Sequence, residues 1–113
     1  MPISTIIKKV ISRYGQYIIR KPRKVTEDRG YYYGEQEVIR GQVSQLTGYT
    51  ESWEAPGMVI RADFLITFPP DVTVDKGDLL KINDEWVEVV EVLKRRTGNR
   101  IDFIECLCRR RTE

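Results

Sequence analysis

The alternation of apolar and polar residues is clearest in the middle of the chain. From Ile60 to Phe68, apolar residues occupy every second position, and most of the positions between them are polar. Such alternation is typical of a β-strand that buries one face. Pro69 and Pro70 follow, and because neither has an N–H group to donate to a neighbouring strand, we expect the strand to end there.

A β-hairpin is predicted after a short connection. The apolar segment Leu79–Ile82 is short, the polar residues 83–85 suit a tight turn, and Trp86–Leu93 is a longer apolar segment. In this longer strand the inward-facing positions change sides near Val89 and Val90. We expect a β-bulge here, as in strongly bent sheets and small barrels; a strand buried on both faces is the alternative.

Residues 1–15 show the period of an amphipathic helix. Ser4 or Thr5 is expected to cap its N-terminus, and Gly15 is expected to follow its C-terminus. Two strands broken near Ser12 are the alternative. Because the helix is rich in β-branched residues, it should depend on packing against the sheet. Its apolar stripe consists of Ile3, Ile6, Ile7, Val10, Ile11 and Tyr14.

Three further strands are predicted at Tyr17–Arg20, Glu37–Gln45 and Arg100–Cys108. Between the second and third strands of the chain, residues 46–57 follow neither the helical nor the strand period, so we expect a long irregular loop. The elements together predict one domain over residues 1–113. Its expected fold is mainly β: a small closed or partly open antiparallel β-barrel with one N-terminal helix.

The predicted loop contains two aromatic residues among polar ones. Tyr49 and Trp53 are residue types that are enriched at protein interfaces, and Thr50, Glu51 and Glu54 lie beside them. These five residues are candidates for a contact with a partner. In a second arrangement, Trp53 folds back as a lid on the core, and the sequence is equally compatible with it.

The residue types offer little for catalysis or metal binding. The chain has no histidine, and its two cysteines, Cys106 and Cys108, are expected to be small buried side chains rather than a disulfide. Asp63, Asp78 and Asp84 are expected to serve turns and strand edges. We therefore predict no enzymatic activity, no catalytic residue, no cofactor and no metal ion.

The composition predicts a globular protein without a membrane segment. Charged residues make up 32% of the chain, which is typical of a soluble domain. No apolar run approaches the ~20 residues that a membrane-spanning helix needs. The start of the chain has no signal-peptide pattern, so we expect an intracellular protein.

Charge is unevenly distributed along the chain. Residues 1–40 hold nine Lys or Arg against four Asp or Glu, residues 41–93 hold three against ten, and residues 94–113 hold seven against three. This polarity suits head-to-tail self-assembly or a face turned to a polyanion; the alternative is a mixed, solvated surface. The two C-terminal basic clusters are expected at opposite ends of a hairpin, so no single concentrated patch is predicted. The candidate partner-facing cations are Lys21, Arg23, Lys24, Arg95, Arg96, Arg109 and Arg110.

Residues 58–93 carry a resemblance to a known family. They contain an alternating strand that ends in proline and a turn of the form Asp-Val-x-Val-x-x-Gly-Asp at residues 71–78. A short strand and a tight turn into an aromatic and valine-rich strand follow. This order, with the helix and the long loop in matching places, resembles the head-closure (stopper) proteins in the head–tail connector of long-tailed bacteriophages and prophages.

The resemblance implies a small β-barrel that assembles as a hexameric or dodecameric ring of subunits below the portal and adaptor. In that family, the long loop between the second and third strands lines or plugs the central channel, retains the packaged DNA and moves aside on ejection. Residues 46–57 occupy that place here. The implied partners are other copies of the chain, portal, adaptor and tail proteins, and DNA in the channel, with no membrane. The implied location is the head–tail interface of the virion, and the host cytoplasm during assembly.

A function from a different class is also compatible with the sequence. An oligonucleotide-binding or SH3-like barrel could hold nucleic acid through a basic, tyrosine-bearing face, with Lys21, Arg23 and Lys24 on phosphates and Tyr31–Tyr33 beside them. Three consecutive tyrosines cannot all face one way on a strand, and glycines on both sides of them indicate a loop or a hairpin tip. Salt-dependent binding of single-stranded nucleic acid would distinguish this function from assembly of a ring of subunits.

Overall fold

A computed structural model of the chain describes residues 3–28 and 30–111. The fold is mainly β, and the described ranges contain one helix, at the N-terminal end, as the sequence predicts. All strand pairs are antiparallel. The elements are α1 (Ile3–Tyr14), β1 (Gln16–Lys21), β2 (Arg23–Thr26), β3 (Gly30–Tyr33), β4 (Glu37–Glu51), β5 (Val59–Phe68), β6 (Leu79–Ile82), β7 (Glu85–Thr97) and β8 (Arg100–Arg110).

Six of the strands pair in the closed order β1-β4-β5-β8-β7-β6, with β6 pairing back to β1. Each strand of this closed sheet therefore has a hydrogen-bonded neighbour on both sides over part of its length. The strands β2 and β3 pair only with each other in the described ranges and form a separate two-stranded sheet, the β2–β3 hairpin. The closed sheet is the body of the molecule, and the hairpin is attached to it between β1 and β4.

The core fills the inside of the closed sheet. Ile18, Ile66 and Phe68 are fully buried and belong to one cluster with residues from β6, β7 and β8. The alternating residues of β5 supply this core, as the sequence pattern predicts. Gly41 lies against the aromatic ring of Phe68, where an added Cβ would stand 2.7 Å from the ring. A larger residue at position 41 would displace that ring from the core.

The predicted bulge in β7 is confirmed. Val89 pairs with Cys108 and Glu91 pairs with Leu107, so Val90 is an extra residue between two consecutive pairs. The bulge allows Val89 to lie in the core and the side chain of Val92 to pack against the same cluster. The turn before β7 also matches its prediction, because two consecutive non-glycine residues there have positive φ, as a tight type I′ hairpin turn requires.

The helix α1 differs in detail from its prediction. Ser4 and Thr5 lie within the helix, so neither is its N-cap; that prediction was wrong because the helix has already begun at Ile3. Met1 and Pro2 lie outside the described residues. The helix packs against β4 and β8 and buries Ile11, whereas the side chain of Ile6 is exposed. Only part of the predicted apolar stripe is therefore covered by the sheet.

A buried ion pair joins β1 to the turn before β6. The Nε of Arg20 in β1 donates to the carboxylate of Asp78 over 2.7 Å, and Asp78 also accepts from the backbone N–H groups of Arg23 and Asp75. Burial alone would lower the pKa of the Arg20 guanidinium, but hydrogen bonds to Glu37 and Asp78 raise the pKa above its ordinary value. Asp78 was predicted to serve a turn or a strand edge. It fixes the turn before β6 and also holds the start of β2.

Candidate functional site

The first half of the segment predicted as a long irregular loop is strand. Residues 46–51 belong to β4, and the connection to β5 is only residues 52–58. The prediction over residues 46–57 was therefore wrong in its first half. Pairing of β4 with β5 stops at Gln45 and resumes at Gly48, whose φ is +105°, and this irregularity hid the strand period in the sequence.

Beyond this irregularity β4 and β5 form a two-stranded extension, the β4–β5 ribbon, in which residues 48–51 pair with residues 59–62. Tyr49 and Val59 are exposed on it, at 68% and 69% of their full accessible surface. Thr50 pairs with Ile60 on the opposite face of the ribbon, and both are half-buried. The carboxylate of Glu51 accepts the backbone N–H of Gly57 over 3.0 Å, which closes the connection between the strands.

The connection itself, the β4–β5 tip (residues 52–58), is bound to β7. Ser52 Oγ donates to one carboxylate oxygen of Glu91, and the backbone N–H of Trp53 donates to the other over 2.7 Å. Glu91 is 4% exposed and lies on the outer face of β7, because its neighbour Val92 packs against the core. The tip therefore folds back onto the outside of the closed sheet, and Trp53 is half-buried there rather than over the core.

A second contact ties the tip to another part of the chain. The Nζ of Lys76, in the turn before β6, lies 3.0 Å from the carboxylate of Glu54. Both side chains are more than half exposed, so this pair contributes little by itself. The buried carboxylate of Glu91 is the stronger attachment. Of the five predicted loop residues, two lie on the β4–β5 tip, Trp53 and Glu54, and the other three lie on the β4–β5 ribbon.

The β2–β3 hairpin separates the three tyrosines onto two faces, as their consecutive positions predict. Val25 pairs with Tyr31 and Arg23 pairs with Tyr33, so these four side chains share one face, and Tyr32 lies on the other. The rings of Tyr31 and Tyr33 meet edge to face with centroids 5.6 Å apart. The guanidinium of Arg23 lies 5.6 Å from the ring of Tyr31, which is a cation–π distance.

The predicted basic residues near the hairpin do not act as one set. Lys21 belongs to β1, and its Nζ lies 4.6 Å from the centre of the Trp86 ring. Lys24 pairs with Tyr32 and therefore lies on the opposite face of the hairpin from Arg23. The sequence suggested one basic, tyrosine-bearing face. In the structure its residues lie in three places: beside Trp86, on one face of the hairpin and on the other face of the hairpin.

The C-terminal basic clusters lie at opposite ends of the β7–β8 hairpin, as predicted. Arg96 pairs with Ile101 next to the turn, whereas Arg110 pairs with Val87 at the far end. At the turn end, the Nε of Arg95 lies 2.6 Å from the carboxylate of Glu105. At the far end, ion pairs join Arg109 to Glu88 over 2.8 Å and Arg110 to Glu85 over 3.2 Å.

The far end of this hairpin nevertheless belongs to a concentrated basic surface, contrary to the sequence-based expectation. A cavity of about 310 Å³ is lined by four arginines and Glu88. A neighbouring cavity of about 410 Å³ shares Arg61, Glu88 and Arg109 with it, and its other charged lining residues are Arg23, Lys76, Glu54 and Glu91. We call this surface the arginine face and define it by Arg23, Arg61, Arg109, Arg110 and Arg111.

The β2–β3 hairpin lies beside the arginine face. Burial raises the pKa of the Tyr33 hydroxyl, and the nearby charge of Arg111 partly offsets that rise. The face therefore combines residues from β2, β5 and the end of β8, which are far apart in the sequence. Sequence reasoning missed it because no local pattern reports the register that brings Arg61 next to Arg109.

The cysteines are buried and free, as expected. Burial raises the pKa of the Cys106 thiol to about 12 and raises that of Cys108 well above its ordinary value. Both therefore stay protonated at neutral pH and are poor nucleophiles.

Within residues 3–28 and 30–111, no group of three or more acidic, cysteine or histidine side chains is arranged to hold a metal ion. In the same ranges, no helix has the length and apolar character needed to cross a membrane.

The comparisons with known proteins assign no family to the chain. No protein-family model matches the sequence, and no curated protein sequence matches it.

Proposed function

We propose that this protein is a structural subunit of the head–tail connector of a long-tailed bacteriophage or prophage, of the head-closure type. It acts by assembling with copies of itself, as a hexameric or dodecameric ring of subunits, and with portal, adaptor and tail proteins. The resemblance of residues 58–93 to that family supports this role. In the proposal, the closed sheet is the small β-barrel of the subunit, and its place is the head–tail interface of the virion.

One structural observation carries the proposal: large apolar side chains are exposed on two-stranded ribbons outside the closed sheet. Val25 is 78% exposed and its cross-strand partner Tyr31 is 54% exposed on the β2–β3 hairpin. Tyr49 and Val59 are similarly exposed on the β4–β5 ribbon. Contiguous apolar groups on a surface mark contacts with other proteins, and a two-stranded hairpin is marginally stable in water without such cover.

The free backbone edges of these ribbons provide a second kind of contact. Each strand of the β2–β3 hairpin pairs on one side only within the described residues, so its other side presents N–H and C=O groups. An edge of this kind can accept a strand from a neighbouring subunit. Repetition of one such contact between different patches of identical subunits closes a ring when the rotation is right.

The β4–β5 tip is the part of the subunit that we assign to the DNA channel. Its attachment to Glu91 holds it against β7 in this structure. In the proposed role, this tip reaches the channel after packaging, and release or rearrangement of the Glu91 contact accompanies passage of DNA. The segment that moves is then residues 52–58, with the β4–β5 ribbon as its support, rather than the longer loop expected from the sequence.

The test is assembly on the natural platform. Purified protein would be mixed with portal–adaptor complexes from the phage or prophage genome that encodes it, and the products examined by sedimentation velocity and electron microscopy. We expect a ring of subunits with a central opening, bound coaxially to the portal–adaptor complex. A protein that remains monomeric at every concentration and does not bind those complexes would contradict the proposal.

A further inference from the structure

The arginine face has cations that its own carboxylates do not neutralise. The side chains of Arg23 and Arg111 form no ion pair with any residue in the described ranges. The Nε of Arg61 is 3.7 Å from Asp63, whose carboxylate already accepts the backbone N–H of Arg110 over 2.7 Å. Arg109 and Arg110 are paired with Glu88 and Glu85. Among the residues that the structure describes, Arg23 and Arg111 thus have no carboxylate partner and Arg61 has only a long one, so these three guanidinium groups can bind an anion.

The shape of this surface favours an extended ligand with repeated charges. The two cavities share Arg61, Glu88 and Arg109, so the cations continue from Arg111 at one side to Arg23 at the other. The planar fork of arginine suits the oxygens of a phosphate group, which it can bind through two parallel hydrogen bonds. A chain of phosphates would meet successive guanidinium groups along the face, whereas a single small anion would occupy only one cavity.

We infer that the arginine face binds the phosphodiester backbone of nucleic acid, with Arg23, Arg61 and Arg111 as the principal phosphate contacts. These contacts are to the backbone and carry no sequence preference. Three carboxylates oppose the ligand. Glu88 lies between the two cavities, where its pair with Arg109 limits the affinity. Glu54 and Glu91 line the larger cavity, where Glu54 is paired with Lys76 and Glu91 accepts hydrogen bonds from the β4–β5 tip.

Arg23 shares a face of the β2–β3 hairpin with Val25 and Tyr31, so this surface adjoins the exposed apolar contacts. The inference nevertheless does not rest on the proposed connector role, because a chain that does not assemble can still bind.

The test is a salt titration of DNA binding. Fluorescence anisotropy would measure the binding of a labelled oligothymidylate and of a labelled duplex of the same length. Wild-type protein should bind both, with affinity that falls linearly on logarithmic axes as salt rises. The variant Arg61→Gln/Arg111→Gln should bind more weakly. It should also reduce the slope of that line by about 1 for each lost phosphate contact.

The matched control removes the same charge elsewhere. Lys94→Gln/Arg96→Gln changes two exposed cations near the turn end of the β7–β8 hairpin. Their partners in β8, Ile104 and Ile101, lie roughly 20 and 30 Å from Arg110 by the rise of a strand. This variant should keep the wild-type salt slope. Glu88→Gln, which removes the carboxylate between the cavities, should tighten binding to both probes.

Three results would overturn the inference. The first is that wild-type protein binds neither probe at low salt. The second is that the control pair and the Arg61→Gln/Arg111→Gln pair lose affinity equally, because the effect would then report net charge and not a site. The third is competition by polyglutamate at the same concentration of charge as DNA, because the face would then be a contact for an acidic protein. Circular dichroism of each variant would verify that the fold is retained.

Discussion

The inward face of the closed sheet and the β2–β3 hairpin differ in how they treat apolar residues. In the closed sheet, Phe68 and Ile18 are removed from water completely. In the hairpin, Val25 and Tyr31 form a cross-strand pair that remains largely in water. The difference indicates that the closed sheet supplies the stability of the chain, whereas the hairpin contributes a surface.

Charged pairs show the same division. The Arg20–Asp78 pair is almost fully buried and joins β1 to the turn before β6. The Arg109–Glu88 pair is partly exposed on the arginine face. Loss of one partner from a buried pair leaves an unpaired charge in a poorly hydrated place, whereas loss of one from an exposed pair leaves a charge that water solvates. Mutations in the two regions should therefore have unequal effects on folding.

The largest loss of stability is expected in the core. Phe68→Ala should lower the free energy of unfolding by about 3–5 kcal/mol, because it removes a fully buried ring and leaves a cavity beside Gly41. Chemical denaturation would measure it. The control Tyr49→Ala, on the exposed β4–β5 ribbon, should change this free energy by less than about 0.5 kcal/mol. Equal losses in the two variants would refute the division between core and ribbon.

The buried ion pair should come next. Asp78→Asn should lower the free energy of unfolding by about 3 kcal/mol, because Arg20 loses a buried counter-charge. Glu88→Gln, at the exposed pair, should cost less than about 1 kcal/mol. Urea denaturation of both variants would measure the two losses. A larger loss of unfolding free energy in Glu88→Gln than in Asp78→Asn would contradict this prediction.

A smaller and local effect is expected at the β4–β5 tip. Glu91→Gln should weaken the bonds from Ser52 and from the Trp53 N–H by about 1.5 kcal/mol in total, since a charged acceptor becomes neutral. Hydrogen exchange at the Trp53 amide should then be roughly tenfold faster. Glu54→Gln, at the exposed pair with Lys76, should leave that exchange rate unchanged. Unchanged exchange in Glu91→Gln would show that this carboxylate does not hold the tip.

The buried thiols predict a dependence on pH. Because the pKa of Cys106 is raised to about 12 from an ordinary value near 9, the folded state keeps a proton that the unfolded state loses in that interval. The contribution of the protonated Cys106 thiol to the free energy of unfolding is therefore complete below pH 9. It declines as pH rises towards 12, by about 1.4 kcal/mol for each pH unit. Denaturation across this range should show a shallower decline for Cys106→Ala. An identical decline in both proteins would contradict the raised pKa.

Much of the fold was predictable because its signals are local. The alternation from Ile60 to Phe68 and the change of phase at Val90 depend on neighbouring residues, and both predictions agree with the structure. The irregularity before Gly48 is also local, but it destroys the period that would have revealed the end of β4. The extent of a strand across such a bulge depends on its partner, which the sequence pattern does not report.

The arginine face was not predictable for a different reason. Arg23, Arg61 and Arg109 come from three strands, and only the pairing register of the folded chain brings them to one surface. Arg61 was not a candidate, because a single cation on an alternating strand is what any solvent-facing strand position shows. The arginines near the C-terminus were candidates, but their neighbours could be identified only in three dimensions.

The most direct test of the central claim separates folding from association. Val25→Ser/Tyr31→Ser changes the exposed pair of the β2–β3 hairpin. Tyr17→Ser/Val38→Ser changes a tyrosine and a valine of the closed sheet that are 70% and 66% exposed. Binding to portal–adaptor complexes by sedimentation velocity should be lost in the hairpin variant and kept in the control, with the free energy of unfolding of the hairpin variant within about 0.5 kcal/mol of wild type. A hairpin variant that unfolds, or that binds as well as wild type, would contradict the account.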